Sequence, residues 1–331
     1  MRELFEGFSR QLRTAIEVAS TINVTPPEKE IRNIVIAGLG GSGIGGTLAE
    51  AITSSEIAVP ISITKSYDIP NFVNEHTLFV ASSFSGNTEE TLAAANKAIE
   101  KGAKFVAITT GGKMKALAAE KGFDCVVFEG EAPCPRQHFC YSLPLLLFTL
   151  KAYGLVNTDF AAQINNIASI IDANAKKVIE EAQVIAGQLH HKLPILYADT
   201  KFGGTLVRFQ QQINENAKQL AHTNVFPEMN HNELVGWESA EHLLENSVVM
   251  MFRSNLEHER VKVRLDLCTD IFIKKADDVI TLHAKGDNLF EQSLWYIYLT
   301  DWISFFLADL NGVDPFPVDI ITFLKNELAK I

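Results

Sequence analysis

The sequence is poor in cysteine and in positive charge, and its apolar stretches are short. The four cysteines include no Cys-x-x-Cys pair, which argues against a zinc finger or a thiol redox motif and favours a reduced, cytoplasmic protein. The formal net charge is −11 at pH 7, so we expect neither nucleic acid nor a membrane surface as a partner. The most apolar stretches are broken by Pro144, Asp301 and Asp309, which argues against a membrane-spanning helix.

Several sequence signatures of catalysis are also missing. No Gly-Lys-Ser/Thr follows a glycine-rich turn, and neither a His-Glu-x-x-His motif nor a Gly-x-Ser-x-Gly elbow occurs. These absences argue against a nucleotide P-loop, a zinc site and a serine hydrolase. We therefore expect no metal and no cofactor. Residues 1–8 mix Arg with Glu, unlike a secretory signal peptide.

One stretch, residues 34–47, changes from strand composition to a glycine-rich turn. The β-branched run 34–36 suits a buried strand, and Gly38, Gly40, Gly41 and Gly43 follow. Glycines let the backbone approach a ligand closely, and a helix opening near this turn would favour a phosphate. No acidic residue ends a second strand about 20 residues on, as a dinucleotide site requires. The turn alone fits either a phosphate site or a purely structural connection.

Strand and helix patterns alternate along the 331 residues, which are enough for two domains. In the first half we predict strands at 34–37, 61–64, 78–82, 105–109 and 125–128, with helices at 1–22, 43–54, 88–101, 113–121 and 137–152. After a long helix at 160–190, we predict strands at 195–198, 248–253 and 279–283, with helices at 204–221, 257–275 and 288–310. This order predicts an α/β fold, with domains at residues 1–153 and 154–331, each a parallel sheet flanked by helices.

A second polar stretch, residues 82–91, follows the predicted strand at 78–82. It reads Ser-Ser-Phe-Ser-Gly-Asn-Thr-Glu-Glu-Thr, and its hydroxyls would sit at the carboxyl end of a strand and the N-terminus of a helix, where they can hold phosphate oxygens. The alternative is ordinary helix capping by Ser85 or Asn87 ahead of Glu89 and Glu90.

The two loops together resemble the phosphosugar loops of the SIS (sugar isomerase) fold. Nearly the whole chain is similar to the bifunctional phosphoglucose/phosphomannose isomerases of the phosphoglucose isomerase superfamily. Four further segments carry the resemblance, at residues 134–136, 214–218, 230–233 and 314–318. It implies two flavodoxin-like SIS domains, a phosphorylated hexose substrate and a metal-free enediol proton transfer between glucose 6-phosphate and fructose 6-phosphate. It also implies a homodimer whose active site is shared between subunits.

The resemblance assigns roles to nine residues. The residues that bind the substrate phosphate would be Gly41, Ser42, Ser83, Ser85 and Thr88. The catalytic residues would be Glu215 as the proton-transferring base, His231 as the ring-opening group supplied by the neighbouring subunit, Arg136 beside the enediolate and Lys325 at the ring oxygen. The segment Asp-Pro-x-Pro at 314–317 carries Phe316 where we expect a threonine in dual-specificity enzymes, so mannose 6-phosphate is the less secure substrate.

Taken without the family, the four catalytic candidates have simpler interpretations. Glu215 lies ~200° round the predicted helix from the apolar stripe, where a solvated polar face is ordinary unless a cleft or an interface covers it. His231 sits in a polar loop, where functional residues concentrate but surface histidines are also common. Arg136 could pair structurally with Glu129 or Glu131. A lysine such as Lys325 is favoured near a helix C-terminus by the dipole alone.

Two rival functions remain at this level. The first is another sugar-phosphate reaction on the same fold, such as an aminosugar or pentose-phosphate isomerisation, although no glutamine amidotransferase domain precedes the region. The second is a non-catalytic phosphosugar sensor, although no helix-turn-helix precedes the first helix. A sensor would keep the phosphate loops and tolerate loss of Glu215.

Overall fold

The computed structural model describes residues 1–130, 134–239, 241–328 and 330. The chain forms two compact units. The first unit comprises Glu6–Ala173 and Gly286–Glu291, and the second comprises Met1–Phe5, Asn174–Lys285 and Gln292–Ile331. The division of the chain at residue 153 stays a prediction.

The first unit is built on a five-stranded parallel sheet. Its strands are β1 (Asn33–Ala37), β2 (Ile61–Thr64), β3 (Thr77–Ser82), β4 (Lys104–Thr109) and β5 (Asp124–Val127). The helices up to the end of this region are α1 (Arg2–Glu6), α2 (Phe8–Ala19), α3 (Gly40–Thr53), α4 (Glu89–Glu100), α5 (Gly112–Lys121), α6 (Phe139–Ala152) and α7 (Phe160–Leu189). The strand order β2-β1-β3-β4-β5 is the flavodoxin-like order.

The centre of this sheet is apolar on both faces because helices cover both. Val35, Phe79 and Phe105 are fully buried on neighbouring strands and pack with Ala94 and Met114 of α4 and α5. A strand buried on both faces is a continuous apolar run in the sequence, which explains why the central strands β1, β3 and β4 were predicted to within two residues. The edge strands β2 and β5 are only partly buried, but they were predicted equally well.

The second unit contains a four-stranded parallel sheet. Its strands are β6 (Leu193–Asp199), β7 (His222–Phe226), β8 (Ser247–Arg253) and β9 (Asp278–His283), in the order β7-β6-β8-β9. The remaining helices are α8 (Gly203–Gln212), α9 (Glu233–Gly236), α10 (Glu241–Leu244), α11 (Glu259–Phe272), α12 (Leu289–Leu310) and α13 (Asp319–Leu328). The fold class, α/β with parallel sheets flanked by helices, is confirmed.

Two predicted helices were wrong in detail. The helix predicted at 1–22 is divided into α1 and α2. The helix predicted at 204–221 leaves α geometry after Gln212, forms a single π-helical turn at Ile213–Ala217, and ends at Lys218 with φ +54°. The chain then enters β7, a strand that was not predicted because its residues are largely polar and only partly buried. In the part of the chain that the structure describes, no helix combines the length and the apolar character needed to cross a membrane.

Candidate active site

The two glycine- and hydroxyl-rich loops meet at the carboxyl edge of the first sheet. Strands β1 and β3 are direct neighbours, with Ala37 opposite Ala81, although β2 lies between them in sequence. The loops that follow β1 and β3 therefore emerge side by side at the topological switch point, where flavodoxin-like sheets bind ligands. A Cβ on Gly38 would lie 2.9 Å from the carbonyl oxygen of Ser82, so the two loops are in direct contact.

The first loop requires glycine at position 43, where the start of α3 approaches the backbone of Gly38. A Cβ on Gly43 would lie only 2.5 Å from the carbonyl oxygen of Gly38, closer than any side chain can come. This close approach places Gly41 and Ser42 in the first turn of α3. Backbone N–H groups at a helix N-terminus have no partners within the helix and favour an anion.

The hydroxyls of the second loop make contacts within the loop and do not cap the helix that follows. The Oγ of Ser83 and the Oγ1 of Thr88 are 3.0 Å apart, and Ser85 Oγ accepts a hydrogen bond from Asn87 N at 3.2 Å. Thr88 is the residue that precedes α4, and its side chain makes no capping hydrogen bond. The helix-cap interpretation through Ser85 or Asn87 is therefore wrong, and the hydroxyls remain grouped at the sheet edge.

Arg136 lies beside the first loop. It belongs to a short 3-10 helix, Pro135–His138, that leads into α6, and its side chain is buried. A Cβ on Gly41 would be 3.6 Å from Arg136 Cα. The Glu131 alternative for an ion pair of Arg136 lies outside the described residues. The structure thus brings Arg136 together with the phosphate-loop candidates of the same unit.

An aromatic contact joins the second loop to the Arg136 segment. The rings of Phe84 and His138 stack with centroids 4.4 Å apart, and Phe84 also contacts Phe128 edge to face at 6.1 Å. Phe84 lies between Ser83 and Ser85, while His138 is two residues from Arg136. This stack was not foreseen, because nothing local in the sequence pairs positions 84 and 138.

In the second unit, Glu215 lies on the π-helical turn that follows α8. Two hydrogen bonds hold this turn: a buried one from Asn216 Nδ2 to Ser304 Oγ of α12 at 2.9 Å, and a half-buried one from Asn311 Nδ2, just after α12, to the carbonyl oxygen of Ala217 at 2.9 Å. The Nζ of Lys218 donates to the carbonyl oxygen of Glu215 at 2.6 Å. Single π turns within helices are frequent at functional sites. This one changes the direction in which the side chains after Gln212 point, relative to a continued α-helix.

Glu215 lines a cleft of about 600 Å³. The lining also comes from residues 313–314 and 317–321, which include Asp314, Pro317 and the start of α13. The sequence alone predicted that Glu215 lies on a solvated polar face of the helix. This is wrong, because Glu215 lines a cleft and is half-buried. Of the described residues, neither His231 nor Lys325 contributes to the lining of this cleft.

The His231 side chain is presented to solvent at the end of a 3-10 helix, Glu228–His231. Its imidazole makes no hydrogen bond or ion pair with any residue that the structure describes. Lys325 is likewise exposed, in the last turn of α13. Helix α13 also exposes a set of large apolar side chains, Ile320, Ile321, Phe323, Leu324 and Leu328.

Sequence reasoning missed a polar cluster centred on Glu233, two residues after His231. Its carboxylate accepts hydrogen bonds from Tyr197, His222 and Asn224. The hydrogen bond to Glu233 raises the pKa of His222 above its usual value, and burial opposes this only in part. Tyr197 and Glu233 are 36 residues apart, so no local pattern could have joined them. Within the described ranges, no group of three or more His, Cys, Asp or Glu side chains could hold a metal ion.

Comparison with known proteins identifies close relatives along the whole chain. A family profile described as "Bacterial phospho-glucose isomerase C-terminal SIS domain" matches residues 179–328. A protein of Caldicellulosiruptor bescii named "Bifunctional phosphoglucose/phosphomannose isomerase" is 37% identical over 341 residues, covering 100% of this chain and 99% of the relative. A protein of the same name from Aquifex aeolicus is 34% identical over 330 residues, covering 99% and 98%.

Solved structures share the fold at lower sequence identity. The C-terminal domain of glucosamine-fructose-6-phosphate aminotransferase from Francisella tularensis superposes with a TM-score of 0.80 at 17% identity, covering 96% of this chain and 98% of that one. At this identity the likeness concerns the arrangement of helices and strands.

Proposed function

This chain belongs to the family of bifunctional phosphoglucose/phosphomannose isomerases, and from that membership we propose that it interconverts glucose 6-phosphate and fructose 6-phosphate. Mannose 6-phosphate is the further substrate in this proposal. The relatives that support it match the chain from end to end, so the activity is proposed for the whole chain.

The observation that carries the proposal is the meeting of two loops at the switch point of the first sheet. We assign Gly41, Ser42, Ser83, Ser85 and Thr88 to the substrate phosphate. The first loop offers backbone N–H groups at the start of α3, and the second offers hydroxyls, of which those of Ser83 and Thr88 are 3.0 Å apart. N–H donors and hydroxyls together suit the three oxygens of a phosphate monoester.

Glu215 is the proposed proton-transferring base. Starting from glucose 6-phosphate in its open form, its carboxylate takes the C2 proton and the negative charge passes to the C1 oxygen, which gives a cis-enediolate; the proton of the C2 hydroxyl then moves to the C1 oxygen. The same carboxyl group returns the proton to C1 as the C2 oxygen becomes the carbonyl of fructose 6-phosphate. One carboxylate that alternately accepts and donates is sufficient for this exchange. The π turn supports the role, because hydrogen bonds to Ser304 of α12 and to Asn311 just after it fix the backbone around Glu215.

The remaining catalytic assignments concern the negative charge of the enediolate and the opening of the sugar ring. Arg136 places a permanent positive charge near the anionic enediolate, which stabilises the transition state. His231 opens the sugar ring, and Lys325 assists at the ring oxygen. These are proposals from the family, as is the division into SIS domains at 1–153 and 154–331.

We also propose that the working form is a cytoplasmic homodimer in which His231 completes the partner's active site. The exposed imidazole of His231 supports this, because it is presented outward and makes no contact with the described polar groups of its own chain. The exposed apolar side chains of α13 offer surface that a second copy would bury.

The first experiment measures isomerisation of fructose 6-phosphate by the purified protein in excess EDTA. Glu215→Gln runs in parallel, and Glu245→Gln, an exposed carboxylate elsewhere in the second unit, is the matched control. We expect activity in EDTA that Glu215→Gln lowers by at least ~1,000-fold and that Glu245→Gln leaves within ~2-fold.

The other outcomes point to the rival functions. Binding of phosphosugar without turnover would make the protein a sensor. Turnover of an aminosugar or pentose phosphate in preference to fructose 6-phosphate would make it another isomerase of this fold. Activity that disappears with EDTA and returns with a divalent cation would overturn the metal-free path.

Subunit mixing tests the shared site. Glu215→Gln and His231→Ala chains, each with only residual activity alone, should recover part of the activity when mixed, because one of the two sites in a hybrid dimer is then intact. If no activity appears under conditions in which tagged subunits are seen to exchange, the shared site is wrong.

A further inference from the structure

We propose that Glu233 is a positioning residue for His231, and that the turn at residues 228–233 is a preorganised support that presents the His231 imidazole. The inference rests on the proposed function, since it assumes that His231 acts on the sugar ring. It goes further by assigning a role to Glu233 and to the side chains bound to it.

Glu233 is held on both carboxylate oxygens. Its Oε1 accepts hydrogen bonds from the Tyr197 hydroxyl and from His222 Nε2, the latter at 2.9 Å, and its Oε2 accepts one from Asn224 Nδ2. Trp237 Nε1 in turn donates to the Tyr197 hydroxyl at 3.1 Å. Tyr197 lies on β6, and His222 and Asn224 lie on β7. Two neighbouring strands of the sheet therefore hold Glu233, the last residue of the turn.

The other polar side chains of the turn are bound as well. Asn230 accepts from Arg264 Nη1 at 3.2 Å, so α11 holds it. The Asn232 side chain accepts from Glu233 N and donates to Glu228 Oε1 at 3.0 Å. Asn230 and Glu233, on either side of position 231, are thus bound to the rest of the unit, while Asn232 links residues within the turn.

His231 differs from these neighbours in being exposed and making no polar contact with the described residues. A flexible surface loop would not need anchors on both sides of one unbound histidine. Anchoring the neighbours while leaving the imidazole available reduces the freedom that must be lost when the group meets a substrate, which is how positioning contributes to rate.

The charges in the cluster agree with a fixed support. Burial by itself would raise the pKa of Glu233, but the hydrogen bonds from His222, Asn224 and Tyr197 together lower it below its usual value. Glu233 is therefore an acceptor for three donors at neutral pH. A glutamine has a single acceptor oxygen and adds two N–H donors, so Glu233→Gln must lose part of this network while keeping the side-chain shape.

The test is a double-mutant cycle on isomerase activity. We expect Glu233→Gln to lower kcat by ~10- to 100-fold with KM within ~3-fold, and to have an effect below ~2-fold when His231 is already alanine. Tyr197→Phe, which removes one donor, should give a smaller effect of the same kind. An equal loss from Glu233→Gln in both backgrounds would overturn the inference.

Two controls separate positioning from loss of fold and from failure of the proposed function. Glu257→Gln removes a carboxylate of the same unit that is bound by Arg253 and by Ser254 N, and it should lower kcat by less than ~2-fold. The NMR signals of the histidine side chains test the positioning role without an activity assay. If the wild type proves not to be an isomerase, the proposed function fails, and a His231 signal that is the same in wild type and Glu233→Gln would separately overturn the positioning role.

Discussion

Gly43→Ala is the substitution that most directly tests the first phosphate loop. Gly43 lies in the first turn of α3 with ordinary helical backbone geometry, so an alanine there is not strained in φ. The added methyl group would lie 2.5 Å from the carbonyl oxygen of Gly38. Both atoms belong to the backbone or are fixed by it, so the loop itself must move.

The size of the displacement follows from this distance. Carbon and oxygen atoms in contact stay at least ~3.3 Å apart, so Gly38 and the turn that follows it must shift by ~0.8 Å. A misplacement of ~1 Å at a binding or catalytic group can cost ~100-fold in rate. We therefore expect kcat/KM for fructose 6-phosphate to fall by ~100-fold. In stability, overpacking costs ~1–3 kcal/mol, while replacing glycine in a helix contributes ~1 kcal/mol, so the net loss should not exceed ~2 kcal/mol.

Gly45→Ala is the matched control, because it makes the same change two residues further along α3. A Cβ on Gly45 would lie 3.8 Å from Ser142 Oγ, an ordinary contact. We expect it to raise the free energy of unfolding by up to ~1 kcal/mol and to leave kcat/KM within ~2-fold.

Steady-state kinetics and urea unfolding of both variants check the reasoning. If Gly43→Ala is as stable and as active as Gly45→Ala, the loop tolerates the displacement, and the argument that its geometry holds the phosphate is refuted.

Three further predictions concern the second unit. Asp301→Ala removes a carboxylate that lies 3.3 Å from the buried guanidinium of Arg208, so urea unfolding should show a loss of ~3 kcal/mol; a loss below ~1 kcal/mol would contradict it. The hydrogen bond to Glu233 raises the pKa of His222, so the pair stabilises the fold below the unfolded pKa of ~6.5 and loses this effect as pH rises through the higher folded value. His222→Gln should therefore lower stability near pH 6, by less than ~1 kcal/mol because the histidine is half exposed, but not near pH 9; equal losses at both pH values would rule this out. Phe316 does not contribute to the lining of the Glu215 cleft, so Phe316→Thr should change the ratio of mannose 6-phosphate to fructose 6-phosphate turnover by less than ~3-fold; a large rise in the mannose rate would show that Phe316 reaches the substrate.

The first unit could be predicted from the sequence almost completely. Strands that are buried on both faces must be apolar along their length. The apolar runs around Val35, Phe79 and Phe105 therefore predict central strands of a parallel sheet. The turn at Gly38–Gly43 was also readable, because only glycine permits the backbone contact that the structure contains. The adjacency of the two phosphate loops follows from strand order, which the alternating pattern restricts to a few arrangements.

The π turn at Ile213–Ala217 could not be predicted in the same way. Its residues have ordinary helical composition, and what diverts them are partners on α12, such as Ser304 at a separation of 88 residues from Asn216. Strand β7 was missed for a related reason. It lies at the edge of its sheet and is mostly half-buried, so its pattern lacks the apolar signal of a central strand.

By itself, the sequence determined the α/β class, the elements of the first unit, the glycine-dependent turn and the residue types available for catalysis, because each depends on local periodicity or on backbone sterics. Only the tertiary structure decided that Glu215 lines a cleft rather than a solvated face, that Ser83 and Thr88 face one another, and that Glu233 ties the His231 turn to two strands. The Glu215 cleft and the Glu233 contacts depend on side chains from distant parts of the chain, and the Ser83–Thr88 contact depends on the conformation of the loop between them. No local sequence pattern encodes either.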